Sequence, residues 1–492
     1  MNPRQKKTLK IVNEIARRYA NDPIGWINRY ISFEGLKLKE LTWQQVEIAT
    51  ALVEDRYVCV SAGGGIGKTA LTALLIQWFL ITHPFSKVPT TAPTAKQLND
   101  VLWSEIDVWL KRNKLNKLYK RIKGRLFIEG FKEWYATART VSRDRRELND
   151  TLAGFHAPSI FICIDEASGV PDPVFTALVG TMTDKNSHIL LISNPVSTGG
   201  FYYDVITDPE GKGKDFKILY YNVMDSPLVD EEFIQTIINI YGEDSPMYKA
   251  KVLGQPIGVN ESVVVPPDVY DQVVATQRAL DDGPVILSVD VAGGGPDVCV
   301  FCHRVGNSFP RWDEYYKTDP TAVADEVVRI WERMYVNRPF CAVVDAHGLG
   351  AGTYSNLAKL NRFPVLGFVG PEKAHHVLMY KNKRAENYHK LQKDFPTFSF
   401  PTDPPERLKK ELANLRFDFS KGPIQMEDKI AFKARLGFSP DYADAMMMTC
   451  AVENFLSLAA SRHVSQKAVS IFRRLRTVKR SQKFGKYRKF IQ

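Results

Sequence analysis

Val58-Cys-Val-Ser-Ala-Gly-Gly-Gly-Ile-Gly-Lys-Thr-Ala-Leu71 is the segment with the strongest structural signal in the chain. An apolar run typical of a β-strand, Tyr57 to Val60, enters a loop with four glycines in five positions. The apolar segment 70–79 then leaves the loop as a predicted helix. Such glycines let backbone N–H groups turn toward a triphosphate, and the helix N-terminus adds partial positive charge. This order predicts a nucleotide-binding α/β domain.

Two side chains at the start of the predicted helix have the chemistry for phosphate and metal. Lys68 can reach the β- and γ-phosphates of a nucleotide, and the Thr69 hydroxyl can hold Mg²⁺. One position departs from the usual pattern, because an alanine stands six residues before the lysine. A glycine-rich turn with a chance Gly-Lys-Thr is the alternative. The predicted nucleotide contacts are Ala62, Gly63, Gly64, Gly65, Ile66, Gly67, Lys68 and Thr69.

Length and composition predict a soluble protein with two or three domains. The chain has 492 residues, and no apolar run approaches the length that spans a membrane. The basic N-terminus is unlike a signal peptide. Six cysteines, mostly in apolar runs, favour buried reduced thiols. Together these features predict a cytoplasmic protein.

The net charge of +11 is concentrated at the C-terminus. The segment 462–489 holds eleven Lys and Arg, and no acidic residue follows Glu453. Such a basic tail, interleaved with aromatic residues, suits nucleic acid or an acidic protein partner. A solvated chain end is the alternative.

Two further features flank the nucleotide signal. Gln44 lies some two dozen residues before the glycine loop, where its amide could pair with adenine and favour ATP over GTP. After the loop, a basic segment carries arginines that could reach a γ-phosphate or a DNA backbone, although an exposed charged loop is equally consistent. These arginines are Arg139, Arg143, Arg145 and Arg146.

A second nucleotide signal is the run Ile160-Phe-Ile-Cys-Ile-Asp-Glu-Ala-Ser168. Its apolar residues predict a strand buried on both faces, with two carboxylates at its C-terminal end, where open α/β sheets bind ligands. Asp165 would hold Mg²⁺, and Glu166 would orient and deprotonate the attacking water. Capping of the next turn is the alternative. A third strand ends at Ser193-Asn194-Pro195, whose polar groups could sense the γ-phosphate.

The second half of the chain contains a different acidic pattern. Asp290 lies in the interior of one predicted apolar strand, and a glycine-rich hairpin after it carries Asp297. Asp345 ends a second predicted strand, and an unpaired charge in such apolar runs is costly. Asp441 and Asp444 lie one turn apart on a predicted helix. Three acidic groups from separate elements suit two Mg²⁺ ions that cut a phosphodiester. Singly, each aspartate could merely cap a helix or close a turn. Groups that could attend the scissile phosphate are His347, Lys429, Lys433 and Arg435.

Taken together, these motifs resemble the large terminase subunit of tailed bacteriophages, from about Leu41 to Glu453. Each motif alone is common, but their order along the chain is specific. The motifs are Trp43-Gln44, Ala62–Thr69, Thr91-Ala-Pro-Thr94, Gly154-Phe-His156, Ile164-Asp-Glu-Ala167, Ser193-Asn-Pro195, Val252-Leu-Gly254, Val289-Asp290, Val344-Asp345 and Ser439-Pro-Asp-Tyr-Ala-Asp-Ala445.

The resemblance implies an α/β fold in two parts. The first is a P-loop ATPase domain with a mostly parallel sheet and an extra strand between the glycine-loop strand and the acidic strand. The second is a ribonuclease H-like nuclease domain with a mixed sheet. The expected organisation is a helical segment (1–40), the ATPase core (41–198), a linker subdomain (199–270), the nuclease (271–455) and a basic tail (456–492).

Residue roles follow from the same resemblance. Gln44 and Asn194 would contact the nucleotide, while Lys68 and Glu166 would act in catalysis. Asp290, Asp345 and Asp444 would hold the nuclease metals, Mg²⁺ or Mn²⁺, with Asp441 competing as the third ligand. Family loops often carry a basic residue among the glycines, where this chain has Gly64, so a cis-acting arginine would come from the segment 139–146.

The implied function is a motor that uses ATP to move double-stranded DNA into a preformed capsid and a nuclease that cuts concatemeric DNA. The implied partners are DNA, a portal protein, a small terminase subunit and further copies of the chain in a ring of about five on the capsid, with a monomer possible in isolation. No membrane partner is implied, and the location would be the host cytoplasm. The alternatives are a helicase-nuclease of DNA repair and a non-catalytic DNA-binding scaffold with a decayed loop.

Overall fold

The computed structural model describes residues 1–141, 151–152, 154–176, 186–292, 298–420 and 422–452. These fall into two compact units, Met1–Val259 and Asn260–Gln492. Arg143, Arg145 and Arg146 of the predicted basic segment lie outside the described residues, as does the predicted basic tail.

The first unit is built on one large sheet with helices on both faces. Its strands are β1 (Tyr57–Ala62), β2 (Lys87–Thr91), β3 (Tyr119–Ile122), β4 (Arg125–Ile128), β5 (Tyr135–Ala138), β6 (Ile160–Asp165), β7 (Ser187–Ser193) and β8 (Lys217–Tyr221). Its helices are α1 (Pro3–Tyr19), α2 (Pro23–Tyr30), α3 (Trp43–Asp55), α4 (Lys68–Thr82), α5 (Ser104–Lys111), α6 (Phe201–Thr207), α7 (Glu231–Tyr241) and α8 (Pro246–Tyr248), with π-helical turns at Gln97–Trp103 and Lys249–Leu253 and a 3₁₀ turn at Asn116–Leu118.

The sheet order is β3-β4-β5-β2-β6-β7-β1-β8, and the six strands from β5 to β8 run parallel. Strands β3 and β4 form an antiparallel hairpin at one edge. Strand β7 lies between β1 and β6, which is where the resemblance implied an extra strand. Since parallel strands end at the same edge, the glycine loop, the carboxylates after β6 and the polar end of β7 converge there.

Helix α4 is the central helix of this unit. All but two of its residues are buried, which explains why its sequence is apolar on every face. Helix α1 packs on it, and the indole Nε1 of Trp78 donates a hydrogen bond of 2.7 Å to the carbonyl of Tyr19. The helical segment before residue 40 is therefore packed against α4.

The predicted linker region, 199–270, differs in part from the observed arrangement. Strand β8 lies within it and pairs in parallel with β1, so this part of the chain completes the large sheet. The boundary between the two compact units also falls inside the region, after Val259. The place of this strand in the large sheet was not predicted, because its pairing with β1 joins segments remote in sequence.

The second unit contains a five-stranded mixed sheet and a small hairpin. Its strands are β9 (Val285–Asp290), β10 (Cys299–Val305), β11 (Ser308–Tyr315), β12 (Phe340–Asp345), β13 (Val365–Phe368), β14 (Phe417–Asp418) and β15 (Gln425–Met426). Its helices are α9 (Val259–Ser262, at the boundary), α10 (Pro267–Thr276), α11 (Pro320–Ile330), α12 (Gly350–Leu360), α13 (Lys383–Asp394), α14 (Glu406–Leu412), α15 (Lys429–Leu436) and α16 (Asp441–Met448).

The order of the five strands is β11-β10-β9-β12-β13. Strand β10 is antiparallel to both neighbours, whereas β9, β12 and β13 run parallel. Counted from the first strand this is the order 3-2-1-4-5 of the ribonuclease H fold, so the predicted fold class is confirmed. Asp297, predicted on the hairpin between β9 and β10, lies outside the described residues.

Two expectations from composition can be compared with the fold. The six cysteines are buried and free of disulfides. Within the described ranges, no helix combines the length and the apolarity needed to cross a lipid bilayer.

The contact between α1 and α4 gives a stability prediction. Trp78→Ala should lower the free energy of unfolding of the first unit by about 3–5 kcal/mol, because it opens a cavity and unpairs the Tyr19 carbonyl. Trp78→Phe should cost less, since the ring volume is largely kept. Urea unfolding followed by circular dichroism measures both. Val108→Ala, at a side chain 44% exposed on α5, is the control and should change stability by less than about 0.5 kcal/mol. Equal effects of Trp78→Ala and the control would contradict the packing described.

Candidate functional site

Lys68 occupies the centre of the first candidate site. It begins helix α4 directly after Gly67, whose φ of 78° is left-handed and needs glycine. Its ammonium lies 2.6 Å from the side-chain oxygen of Asn194 and 2.5 Å from the carbonyl oxygen of Gly63. Burial lowers its pKa, while Glu166 and Asp165 oppose that shift. The lysine predicted for phosphate contact thus lies beside the acidic pair and the end of β7.

Two carboxylates complete this site. Asp165 ends β6, and its Oδ2 lies 3.4 Å from the hydroxyl of Thr69. Burial raises the pKa of Asp165 to about 7, and the neighbouring charge of Glu166 adds to the shift. Because both effects penalise the anionic form, a cation between Asp165 and Thr69 would relieve them. The donor chemistry therefore fits Mg²⁺.

Glu166 has an unusual backbone conformation that aims its side chain. Its φ of 50° and ψ of 45° lie in the left-handed region, which costs energy for a residue with a Cβ. The carboxylate oxygen Oε2 lies 3.2 Å from the hydroxyl of Ser193 on β7. The Ser193 hydroxyl in turn lies 2.8 Å from that of Ser168. The predicted polar end of β7 therefore touches both the lysine and the glutamate.

The glycine loop is covered by the chain that follows β8. The N–H of Gly63 donates to the carbonyl of Tyr221 at 3.2 Å, and the N–H of Gly64 donates to that of Lys251 at 2.9 Å. A Cβ on Gly63 would lie 2.5 Å from the Lys251 oxygen, so only glycine allows this approach. Ala62, where the pattern expects glycine, is the buried last residue of β1, and Ile66 is buried in the core.

The two adjacent glutamines of α3, Gln44 and Gln45, have different hydrogen-bond partners, which the sequence did not indicate. The side-chain nitrogen and oxygen of Gln44 are both buried and have no hydrogen-bond partner among the described residues. Its pairing with adenine therefore remains a prediction. The neighbouring Gln45 donates from Nε2 to the carbonyl of Gly67 at 3.1 Å. Arg139, predicted to act near the phosphate, stacks its guanidinium over the ring of Phe155 at 4.9 Å.

The second candidate site is a cavity of about 530 Å³ in the second unit. Asp290 at the end of β9, Asp345 at the end of β12 and Asp444 on α16 all line it. The three carboxylates predicted from separate elements are thus brought to one cavity. His347 lines it too, and its backbone N–H donates to Asp345 at 3.1 Å.

The three carboxylates differ in the direction in which their pKa values are shifted. Burial raises the pKa of Asp290 to about 8, and repulsion from Asp444 and Asp345 adds to the shift. Burial also raises the pKa of Asp345. Burial acts in the same direction on Asp444, but Arg384 and Lys429 outweigh it and lower its pKa to about 2. Lys429 opposes the rise at Asp290 and Asp345 as well, but its direct contact, like that of Arg384, is with Asp444.

The partners of Asp444 come from two other helices. Arg384 Nε and the Tyr388 hydroxyl of α13 lie 3.1 and 2.7 Å from its Oδ1. Lys429 of α15 lies 2.7 Å from its Oδ2. Sequence analysis had placed Lys429 near the site but missed Arg384 and Tyr388, since a basic helix start carries no signal for a remote partner. Arg435, which was grouped with Lys429, instead pairs with Glu427 at 2.7 Å.

Asp441 has a different environment from Asp444. Its Oδ2 lies 2.9 Å from Arg407 Nη2, and Arg407 also pairs with the buried Glu411 at 3.0 Å. Glu411 accepts the N–H of Ala443 at 2.7 Å and so anchors the start of α16. This geometry favours Asp444 over Asp441 as the third residue of the cavity.

A divalent cation fits part of this donor set. Buried carboxylates with raised pKa values, Asp290 and Asp345, are the oxygen ligands that hard cations select. Across the described parts of the chain, however, no three His, Cys, Asp or Glu side chains form a group that could hold a metal as they stand. Asp444 is paired with Arg384 and Lys429.

The sequence is similar to the "Probable terminase, large subunit" of Enterobacteria phage P7, with 30% identity over 269 residues. This similarity confirms the predicted resemblance to large terminase subunits. The match covers 52% of this chain and 54% of the relative, so the chain spans about half the length of the curated protein it matches. No protein-family model matches the chain.

Two solved structures show weaker likeness. The nuclease domain of the large terminase subunit gp2 of bacterial virus Sf6 is 20% identical with a TM-score of 0.34, over 38% of this chain and 98% of that one. The large terminase of a thermophilic bacteriophage is 13% identical with a TM-score of 0.40, over 84% of this chain and 99% of that one. A mutant of the former domain was solved with manganese, and the latter protein with ADP. At these TM-scores the superpositions support no comparison of individual residues.

The contrast between Asp290 and Asp444 predicts opposite effects on stability. An aspartate whose folded pKa of about 8 exceeds its unfolded value of about 4 destabilises the fold increasingly as pH rises between those values. Asp290→Asn should therefore raise the thermal midpoint in EDTA by more at pH 8.5 than at pH 5. Differential scanning calorimetry at the two pH values measures the difference.

Asp444→Asn is the matched control from the same cavity. Its folded pKa of about 2 lies below the unfolded value, so its stabilising effect is complete at both pH 5 and pH 8.5. This variant should lower the midpoint by a similar amount at both values. A pH-independent response of Asp290→Asn would refute the assigned electrostatics.

Proposed function

We propose that this chain is a DNA-packaging motor that combines ATP hydrolysis with a metal-dependent DNA endonuclease. The convergence of Lys68, Asp165, Glu166 and Asn194 at one sheet edge is the observation that carries the ATPase half. The cavity shared by three carboxylates supports the nuclease half. The similarity to a terminase large subunit over half its length supports joining the two in one packaging protein.

In the ATPase reaction, the start of α4 and Lys68 bind the β- and γ-phosphates. The helix offers unpaired N–H groups at its N-terminus, since Gly67 provides no side-chain cap. When bound, Mg²⁺ would neutralise phosphate charge between Thr69 and Asp165. Glu166 takes a proton from the water that attacks the γ-phosphorus, the bond to the β–γ bridging oxygen breaks, and ADP and phosphate leave.

The end of β7 connects these groups. Asn194 accepts from Lys68 and Ser193 contacts Glu166, so a change in the position of either charged group is felt by the same strand. In each cycle of ATP binding and hydrolysis, Lys68 would move from Asn194 to the γ-phosphate and back. The contact between Lys68 and the end of β7 would therefore change in every cycle. We infer that Ser193 and Asn194 sense the γ-phosphate and pass the change on along the chain.

In the nuclease reaction, Asp290 and Asp345 would hold the cation from two adjacent parallel strands. When bound, a pair of Mg²⁺ or Mn²⁺ ions would activate water and stabilise the leaving oxygen of a phosphodiester. Lys429 lies at the same cavity and presents a positive charge to a DNA phosphate. Asp444 pairs with that lysine, and Arg384 donates to the carbonyl of Glu427 just before its helix at 3.0 Å.

The expected partners of the protein are double-stranded DNA, a portal protein and a small terminase subunit. The protein would act in the host cytoplasm. A ring of about five copies would act on the capsid. A helicase-nuclease of DNA repair is the second candidate, and ATPase stimulation by free DNA ends without a portal would favour it.

The ATPase proposal is tested by Glu166→Gln. Loss of the general base should lower kcat for ATP by about 10²–10⁴-fold while nucleotide still binds. Phosphate release with purified full-length protein gives kcat, and a fluorescent ATP analogue gives the affinity. Asp290→Ala, in the other unit, is the control and should retain wild-type turnover. Unchanged turnover in Glu166→Gln, or none in the wild type, would remove the motor hypothesis.

The nuclease proposal is tested by the reciprocal experiment. Asp290→Ala should abolish cleavage of supercoiled plasmid in Mn²⁺ or Mg²⁺, because one carboxylate cannot hold the cation alone. Chelation of the wild type with EDTA should have the same effect. Glu166→Gln should cut plasmid normally. Cleavage retained by Asp290→Ala would exclude the cavity as the nuclease site.

A further inference from the structure

The segment 111–125 is the most basic part of the described chain. It contains eight Lys and Arg residues and no acidic residue. It runs from the end of α5 through the 3₁₀ turn at Asn116–Leu118 into the β3–β4 hairpin, which forms one edge of the large sheet. A lysine occurs at every third position, and all five are exposed. They are Lys111, Lys114, Lys117, Lys120 and Lys123.

The three arginines of this segment have a different use. Arg121 pairs with Asp107 at 2.7 Å, and Arg112 donates to the carbonyl of Glu34 at 2.9 Å. Arg125 stacks over the ring of Tyr135 at 3.9 Å. The arginines thus hold the segment on the unit, together with Lys114, which donates to the carbonyl of Arg29 at 3.2 Å. No described acidic side chain forms an ion pair with the five lysines.

Helix α1 extends the same positive surface. Its first half carries exposed Lys6, Lys7 and Lys10 and no acidic residue. Gln5 Nε2 donates to the carbonyl of Gly130 at 2.8 Å, and the N–H of Glu129 donates to the carbonyl of Leu118 at 2.8 Å. These bonds place the start of α1 beside the hairpin. We call the five lysines of 111–125 and the three of α1 the basic edge.

Protection of an exposed sheet edge explains only part of the basic edge. Lysines on an edge strand prevent pairing with other chains, and Lys120 of β3 suits that role. Lys111, Lys114 and Lys117 precede the strand and have no edge to protect. The lysines of α1 lie on a helix. A ligand with many negative charges accounts for all of them together.

The composition of the surface favours a phosphate backbone. Protein interfaces are enriched in arginine and aromatic residues and depleted in lysine, whereas here the arginines are engaged internally. Binding of single strands uses aromatic rings on which bases stack. Tyr119, the aromatic residue of segment 111–125, is buried, and its hydroxyl donates to the carbonyl of Gln77 at 2.8 Å. Lysines without stacking partners suit the phosphates of a duplex, independent of sequence.

We propose that the basic edge is a binding surface for the backbone of double-stranded DNA. This inference deepens the proposed function, because it names the surface of the first unit that contacts the DNA. The contacts are ionic, so binding should weaken with salt and show no preference for base sequence.

The test compares two charge-matched triple variants of the full chain. The edge variant is Lys117→Gln, Lys120→Gln and Lys123→Gln. The control is Lys212→Gln, Lys214→Gln and Lys217→Gln, which removes three exposed lysines near β8 at the opposite edge of the same sheet. Fluorescence anisotropy with a 30-base-pair duplex measures Kd over a range of salt concentrations.

The edge variant should bind about tenfold or more weakly at 0.1 M salt. Its slope of log K against log salt should fall by up to about 2.7, since each phosphate that the protein no longer neutralises lowers the slope by about 0.9. The control should stay within about twofold of the wild type. Equal loss of affinity in both variants would indicate a general charge effect and overturn the proposal, as would unchanged affinity in the edge variant.

A footprint identifies the binding surface directly. Acetylation of wild-type lysines followed by mass spectrometry should show Lys117, Lys120 and Lys123 protected by duplex DNA and not by poly-glutamate. Protection by poly-glutamate without protection by DNA would overturn the proposal in favour of an acidic protein. Turnover of ATP without DNA should be equal in both triple variants. If the wild type did not hydrolyse ATP, the proposed motor function would be refuted. The anisotropy and footprint results would still decide whether the basic edge binds DNA.

Discussion

The cost of a carboxylate at the end of a buried strand is the constraint on which both candidate sites depend. Strands β6, β9 and β12 are apolar along their length because helices cover their sheets. Each nevertheless ends in aspartate, where desolvation opposes ionisation. Such a residue needs a cation, either from the protein or from a bound metal. The two units meet this need in different ways.

In the first unit the protein supplies one cation close to the acidic pair. Lys68 lies next to Asp165 and Glu166, and Asn194 holds its ammonium in place. In the second unit two cations are directed to Asp444, and Asp290 keeps a raised pKa. The uneven distribution of charge leaves Asp290 and Asp345 as the groups that gain most from a metal. The buried carboxylates at these positions lower the stability of the fold, but the proposed chemistry requires them.

The sequence predicted the elements that contain local signals. Strands β1, β6, β9 and β12 are mostly apolar runs, and the loop before α4 is glycine-rich. The ends of these strands and the charged residues located there could therefore be predicted. The place of β8 beside β1 could not be predicted, because no local pattern marks which strand it pairs with. Partners remote in sequence were missed because no local pattern marks them. Arg384 lies 60 residues from Asp444, and only the folded chain brings them together.

We propose that two separate phosphate chemistries share this chain, each with its own divalent cation. Anomalous scattering from Mn²⁺ in crystals grown with a non-hydrolysable ATP analogue would locate both cations. We expect one manganese peak between Thr69, Asp165 and the nucleotide phosphates, and another between Asp290 and Asp345. Absence of manganese from either location at saturating concentration would contradict the claim.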